Sequence, residues 1–140
     1  MDTPKDDAEK LLGAVLPFSQ QQLENHGEFY PYAAVMLTDG EIQFIATTDG
    51  NEHPTSQEVI DEYNIIFKQG VKEGKYKATI LLFMTTETDI ETNNKYDAVS
   101  VNIDHKDDYS VVVVFPYELD VKIVAFQEPY AVQGENIIFQ

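Results

Sequence analysis

Apolar residues recur at helical spacing near the start of the chain. The apolar positions in residues 8–16 lie three or four apart, and Thr3 precedes them as a residue type that caps helices well. Pro17 removes an internal backbone hydrogen bond, so the pattern predicts a break or a kink at this residue. A second helical stretch is then expected over residues 18–26, and Gly27 is a natural stop after it.

The next segment has the pattern of a β-hairpin. Residues 32–38 and residues 41–48 each read as a strand, and the pair Asp39-Gly40 separates them. This pair is typical of a type I′ turn, in which both central residues have positive φ. We therefore expect two antiparallel strands joined by a two-residue turn. A polar loop follows and ends at Pro54.

A second helix is predicted after that loop. Thr55 and Glu58 have the spacing of a capping box, in which each side chain satisfies a free backbone amide of the other residue. Apolar residues then follow at a spacing close to 3.6 residues, and Gly70 or Gly74 ends the helix. The expected buried stripe consists of Val59, Tyr63, either Ile66 or Phe67, and Val71.

The second half of the chain reads mostly as strand. Strands are predicted at 77–86, 95–105, 109–117 and 121–126, and a last piece at 137–139 can lie along a sheet edge. The first of these is apolar on both faces, which is typical of a central strand covered on each side.

The order of elements indicates the fold class. A helix, a hairpin and a second helix precede three or four strands, and short turns between neighbouring strands favour an antiparallel sheet. We therefore expect a single α+β domain over residues 1–140, with the helices packed on one face of the sheet.

The charge of the chain limits the class of partner. There are 25 acidic residues and 9 basic ones, so the formal net charge is −16, and every basic residue is a lysine. Proteins that bind nucleic acid or anionic membranes need cationic surfaces, and arginine is prominent among them. We therefore expect no nucleic acid and no membrane as partners. The acidity instead favours a basic protein partner.

The cysteine content and the apolar runs exclude further classes. The sequence contains no cysteine, so disulfides and thiolate metal sites are impossible. No apolar run approaches the roughly 18 residues of a membrane span, and the start lacks the pattern of a secretory signal. These features predict a cytoplasmic protein.

Four stretches carry a resemblance. Residues 24–33 (Glu-Asn-His-Gly-Glu-Phe-Tyr-Pro-Tyr-Ala) lead into the Asp-Gly turn, and residues 97–101, 104–107 and 115–117 follow in the second half. Together they resemble a widespread family of small bacterial cytoplasmic proteins that has no established activity. The resemblance implies a single-domain cytoplasmic protein and transfers no catalytic residue. Some small acidic proteins of this general kind neutralise toxins, which makes an immunity protein one interpretation.

Histidine and carboxylate pairs are the first candidates for chemistry. His26 lies two residues from both Glu24 and Glu28, but this pattern is too short to specify a metal site. His105 follows Asp104 at a predicted strand-to-turn corner, where we expect a solvated turn. A catalytic triad also needs a nucleophile and an oxyanion site, and the sequence shows neither. We therefore predict no catalytic residue, no metal site and no cofactor.

The aromatic run from Phe29 to Tyr32 is the best remaining candidate for binding. Its proline keeps the segment extended, and tyrosine is favoured at interfaces because it combines an apolar ring with a polar end. The alternative is that Phe29 and Tyr32 fill the core where helix and sheet meet. We expect this core position for Phe29, and the choice stays open for Tyr30. The predicted binding residues are Glu28, Tyr30, Tyr32, His26 and His105.

Three hypotheses of function follow. The leading one is a non-enzymatic interaction protein of the immunity type, whose acidic surface binds a basic protein. The second is an enzyme or small-ligand binder with a pocket between the helices and the sheet, and with Tyr30, His26 or His105 at its rim. The third is a domain that self-associates through a strand edge. A deep pocket with a histidine and carboxylates would favour the second, whereas a broad acidic face with exposed tyrosines would favour the first.

Overall fold

The computed structural model describes residues 3–45, 55–121 and 123–139. Within these ranges two helices and seven strands follow one another, which confirms an α+β fold with a helix, a hairpin, a second helix and then further strands. The elements are α1 (Pro4–His26), β1 (Tyr32–Leu37), β2 (Ile42–Ile45), α2 (Ser56–Lys72), β3 (Tyr76–Thr88), β4 (Lys95–His105), β5 (Tyr109–Asp120), β6 (Ile123–Phe126) and β7 (Tyr130–Gln133). The predicted strand continuation at 46–48 and the polar loop up to Pro54 lie outside the described residues.

The strands form one mostly antiparallel sheet. Its order is β2-β1-β3-β4-β5-β6, and β7 pairs with β5 beside this path. Strand β3 lies between β1 and β4, so that Leu82 is opposite Tyr32 on one side and Val101 on the other. The interior position predicted for this apolar strand is therefore confirmed.

Helix α1 is continuous through Pro17, so of the predicted break or kink the break is wrong. Leu11, Val15, Ser19 and Leu23 are buried on both sides of the proline, at a spacing of four residues. Burial of this stripe against the sheet outweighs the roughly 3 kcal/mol that an internal proline costs. The predicted ends are confirmed, because Thr3 accepts a hydrogen bond from the Asp6 amide and Gly27 has a φ of 73°.

The two helices lie on opposite faces of the sheet, so the expectation of one shared face is wrong. Helix α1 packs in a cluster with Met36, Ile80 and Val101. Helix α2 packs in a second cluster with Val35 and Leu81. Neighbouring residues of a strand point to opposite faces, and β1 and β3 are apolar at both sets of positions, so each face needs its own cover.

Helix α2 begins as its sequence predicts. The Thr55 side chain accepts a hydrogen bond from the Glu58 amide at the N-terminus. Among the alternatives left open for the buried stripe, Phe67 is buried and Ile66 is not. Phe67 is therefore the residue that completes the contact between this helix and the sheet.

The hairpin between β1 and β2 has a different turn from the predicted one. The Gly40 amide donates to the Leu37 carbonyl at 2.9 Å, and the Leu37 amide donates to the Glu41 carbonyl at 2.7 Å. The loop therefore has three residues, and within it only Gly40 has a positive φ, 94°. A three-residue loop of this kind needs one left-handed residue at its end, whereas a type I′ turn needs two in succession.

The C-terminal strands also depart from prediction. Strand β5 continues through residues 118–120, where a turn was expected, and the chain turns after Asp120. Residues 130–133 form β7 against β5, whereas residues 137–139 are not a strand. Ile138 is instead buried in the cluster under α2. Both short segments have only a weak strand pattern, so hydrogen bonding to β5 decides that the last strand forms at residues 130–133.

No helix in the described part of the chain combines the length and the apolar character needed to cross a membrane.

Candidate functional site

Part of the sheet face under α2 carries an open cleft. Helix α2 covers Val35 and Leu81, which belong to the side of the sheet formed by β1 and β3. Farther along the same face, the register places Glu87 of β3 opposite Tyr96 of β4. The cleft lies over these strand ends, between the β3–β4 turn, the end of β5 and the start of β7.

Acidic side chains outnumber basic ones in the lining of this cleft, which we call the acidic cleft. Its volume is about 940 Å³, and its described lining includes four carboxylates against one lysine, Lys95. None of the four forms an ion pair with a described residue. The cleft therefore presents unbalanced negative charge to a partner. The carboxylates belong to Glu87, Asp89, Glu91 and Glu118.

The turn between β3 and β4 places an apolar side chain at the rim of the acidic cleft. The Asp89 carboxylate accepts hydrogen bonds from the backbone amides of Glu91 and Thr92, at 2.9 and 3.4 Å. The Asn93 amide donates to the Asp89 carbonyl at 2.8 Å, and Asn93 itself has a φ of 59°. Within this hydrogen-bonded turn Ile90 is 97% exposed. An exposed isoleucine in a polar surround can act as an apolar anchor for a partner.

Two tyrosines lie in the floor of the acidic cleft. The hydroxyl oxygens of Tyr96 and Tyr130 are 3.0 Å apart. The hydrogen bond with Tyr96 raises the pKa of Tyr130 to about 12, and burial and nearby Glu87 act in the same direction. Burial, with the charge of Asp97, also raises the pKa of the neighbouring Tyr117. The exposed Tyr130 therefore keeps its proton at neutral pH.

Three of the predicted binding residues surround a separate depression. His26, Glu28 and Tyr30 line it, together with Met84 of β3, and its volume is about 470 Å³. Tyr30 is 62% exposed, and His26 and Glu28 are exposed as well. In the described part of the chain these three side chains make no hydrogen bond with one another. The structure thus brings them together on the surface without a formed acid–base pair.

Tyr32 is not a surface residue, so its prediction as a binding residue is wrong. It is buried, and its hydroxyl donates to the Val15 carbonyl at 2.8 Å. Its ring contacts those of Phe18, Phe29 and Phe44. Burial raises the pKa of Tyr32 to about 12. This tyrosine joins α1 to the sheet, and Phe29 packs against the core beside it, as expected.

His105 is also buried, and the expected solvated turn is wrong at this residue. The imidazole is 1% exposed, and its Nε2 lies 2.8 Å from Oδ2 of Asp7 on α1. The Asp107 amide donates to Nδ1 at 3.0 Å. Because Nδ1 is an acceptor, Nε2 carries the proton and donates to Asp7. Both ring nitrogens are therefore engaged within the fold, and His105 is no candidate for binding.

Asp7 is the charged partner in this buried contact. Its Oδ2 also lies 3.4 Å from Nζ of Lys77. Burial by itself would raise the pKa of Asp7, but the hydrogen bond from His105 and the charge of Lys77 outweigh it and hold the pKa below its usual value. The contact ties α1 to β3 and β4 and thus serves stability.

The acidic cleft was not predicted from sequence. Residues 87–94 read only as a polar connection between strands. The feature of the sequence that could have indicated this cleft is Ile90, an isoleucine inside a polar, acidic turn. Tyr130 gave no signal, because its partner Tyr96 is 34 residues away.

Metal binding has no support in the part of the chain that the structure describes, where no group of three or more histidine, aspartate or glutamate side chains could hold an ion. Comparison of the chain with models of known families, with curated proteins and with solved structures finds no match.

Proposed function

We propose that this chain is a non-enzymatic interaction protein that binds a basic protein partner at the acidic cleft. An immunity protein that neutralises a toxin is the role we favour. The observation that supports the proposal is the composition of the cleft, which is lined by four carboxylates that form no ion pair with a described residue, by a tyrosine pair and by an exposed isoleucine. We include a cytoplasmic location in the proposal, which a cysteine-free sequence suits.

Electrostatics favours such an encounter. The net charge of −16 attracts a cationic protein over several ångströms, and the acidic cleft concentrates part of that charge in a concave surface. Screening limits the attraction to roughly 8 Å at physiological ionic strength, so the effect acts mainly on the association rate.

Apolar contacts would then hold the partner. Full burial of an exposed isoleucine such as Ile90 is worth about 1.5–3 kcal/mol. Tyrosines are enriched among the residues that dominate binding energy, and Tyr130 is 42% exposed beside the carboxylates. The acidic cleft thus combines carboxylates that attract a basic partner with two exposed side chains, Ile90 and Tyr130, that can hold it.

Amide substitutions test the proposal. The cleft variant carries Glu87→Gln, Asp89→Asn, Glu91→Gln and Glu118→Gln. Asn at position 89 keeps an oxygen that can accept the turn's backbone hydrogen bonds. The control variant removes the same number of charges elsewhere, through Glu9→Gln, Glu41→Gln, Asp61→Asn and Glu62→Gln, at positions that do not line the cleft.

Affinity capture from the native host gives the readout. We expect the wild-type chain and the control variant to retain a basic protein that the cleft variant loses. With that protein purified, stopped-flow kinetics should show an association rate that falls as salt rises and that the cleft variant lowers. If the cleft variant and the control variant lost the basic protein equally, net charge and not the position of the carboxylates would govern binding. Capture of no basic protein by the wild type would contradict the proposal as a whole.

A further inference from the structure

A second cavity lies between α2 and the sheet, on the same sheet face as the acidic cleft and nearer to the β4–β5 turn. Its volume is about 440 Å³, within the range of small-molecule sites. Apolar side chains, among them Phe67, Leu81 and Ile138, form much of its wall, and polar side chains form the remainder. The cavity is thus large enough for a small ligand and has the mixed lining typical of such sites.

A buried carboxylate without a counter-charge lies in this cavity. Asp104 is 9% exposed, and its Oδ1 accepts a hydrogen bond from Ser110 Oγ at 2.6 Å. In the described part of the chain no cationic side chain lies within ion-pair distance of it, and its second oxygen is accessible and accepts no hydrogen bond from a described residue. Buried carboxylates are ordinarily paired, because transfer from water is costly without compensation. Asp104 therefore has one oxygen that is open to a ligand in the cavity.

The polar wall around Asp104 is rich in carboxamides. Asn64 and Asn102 line the cavity, and so does Asn136. The Asn136 amide donates to Ser110 Oγ at 3.1 Å, and its Nδ2 donates to the His105 carbonyl at 3.3 Å. Asn136 Oδ1 is buried with no partner among the described residues. This wall has both donors and acceptors for neutral polar groups.

The charge of the lining selects the sign of the ligand. Asp104 and Glu135 are acidic, and no lysine or histidine is among the described residues that line the cavity. A phosphate or carboxylate ligand would meet repulsion there without a compensating cation. A cation would balance the charge of Asp104 and form a charge-assisted hydrogen bond with it.

We propose that this cavity binds a small organic ammonium ion that also carries hydroxyl or amine groups. The ammonium group binds the free oxygen of Asp104, and the side chains of Asn64 and Asn102 bind the other polar groups. The aliphatic part of the ligand packs against Phe67 and Leu81. This binding activity is independent of the partner proposed for the acidic cleft.

Calorimetric titration of the full chain tests the proposal with two matched pairs of probes. Glucosamine is compared with glucose, and putrescine with butanediol. We expect at least one amine to bind, with its neutral counterpart roughly tenfold weaker or worse, because a charge-assisted hydrogen bond is lost. Failure of both amines to bind, or equal binding of an amine and its neutral counterpart, would overturn the proposal.

Substitution of Asp104 localises the site. Asp104→Asn keeps an acceptor for Ser110 and removes the charge, so affinity for the amine should fall roughly tenfold or more. The matched control is Asp108→Asn, which removes an exposed charge close by and should leave the affinity unchanged. An unchanged affinity in Asp104→Asn would contradict the assignment.

Nuclear magnetic resonance of the wild-type chain gives a second measurement that does not depend on a variant. On titration with the amine, the side-chain amide signals of Asn64 and Asn102 should move. If instead only signals of the acidic cleft move, from residues such as Lys95 and Tyr96, the ligand binds there and the cavity proposal fails. The proposal for the cleft would be unaffected by that result.

Discussion

The buried contact between α1 and β4 allows a quantitative prediction about stability. Replacement of Asp7 by alanine removes the acceptor that lies 2.8 Å from His105 Nε2. It also removes the anion that lies 3.4 Å from Lys77 Nζ. Because Asp7 is only 4% exposed, water cannot readily replace either of these contacts.

The expected magnitude follows from the state of His105. The imidazole is neutral in this arrangement, because the Asp107 amide donates to its Nδ1. The substitution therefore leaves a buried N–H unsatisfied, at a cost of about 1–3 kcal/mol, rather than a buried charge at about 3–5 kcal/mol. The loss of a carboxylate from the first helical turn adds about 0.3–1 kcal/mol, and the partly exposed Lys77 adds less than about 1 kcal/mol. We expect a total loss of about 2–4 kcal/mol.

Urea denaturation followed by circular dichroism measures this loss. With an m-value of roughly 2 kcal/mol per molar urea, the midpoint should fall by about 1–2 M. Asp7→Asn keeps an acceptor for His105 and should lose less than Asp7→Ala. The matched control is Glu9→Ala, an exposed residue of the same helix, which should change stability by less than about 0.5 kcal/mol.

The stability difference between the wild type and Asp7→Ala depends on pH, because the pKa of Asp7 is lowered in the folded state. Although burial opposes ionisation, His105 and Lys77 hold the pKa in the folded state below the ordinary value of 3.8. The ionised carboxylate therefore stabilises the fold above the unfolded-state pKa, and this contribution is lost as pH falls through the folded-state pKa. The stability difference between wild type and Asp7→Ala should be complete above about pH 5 and narrow below it. A midpoint like that of Glu9→Ala, or a difference that persists unchanged into strong acid, would refute the reasoning.

Two further predictions concern the sheet and the acidic cleft. Leu82→Ala should lower the free energy of unfolding by about 2–5 kcal/mol in urea, because Leu82 is fully buried in β3, whereas the exposed control Ile90→Ala should change it by less than about 0.5 kcal/mol. A loss below about 0.5 kcal/mol for Leu82→Ala would contradict the interior position of that strand. Tyr96→Phe should lower the pKa of Tyr130 from about 12 towards 10, measured by ultraviolet titration against Tyr130→Phe, because the hydrogen bond between the two hydroxyls is the main cause of the shift. An unchanged titration would show that burial, not this hydrogen bond, controls the phenol.

Local sequence determined the elements whose signals lie within a few residues. Thr3 and Gly27 fix the ends of α1, because a capping side chain and a left-handed residue act on adjacent backbone groups. Strand β4 has the bounds that its pattern predicted, Lys95–His105. The apolar residues on both faces of β3 also indicated an interior strand. Because each apolar face of a sheet requires a covering layer, the same pattern is consistent with one helix on each face.

Tertiary packing decided whether the predicted breaks within a helix or a strand occur. Pro17 breaks a helix in isolation, but α1 gains more from burying Leu11 to Leu23 as one stripe than it loses at the proline. Strand β5 likewise continues through Glu118 and Leu119, because β6 pairs with these residues. Local propensity differs by a few kcal/mol at most, so a long packed interface can override it.

The sites depended on contacts that no local pattern contains. His105 finds Asp7 across 98 residues, and this contact turns an expected surface histidine into a buried one. Tyr96 and Tyr130 meet because β7 pairs with β5, and Asp104 lies in a cavity because α2 and the segment after β7 cover that part of the sheet. The sequence by itself determined the helices, most of the strands and an acidic surface, since these follow from neighbouring residues and from composition. Only the tertiary structure decided which charges are buried, paired or left open, because burial and distance between remote residues arise when the chain folds.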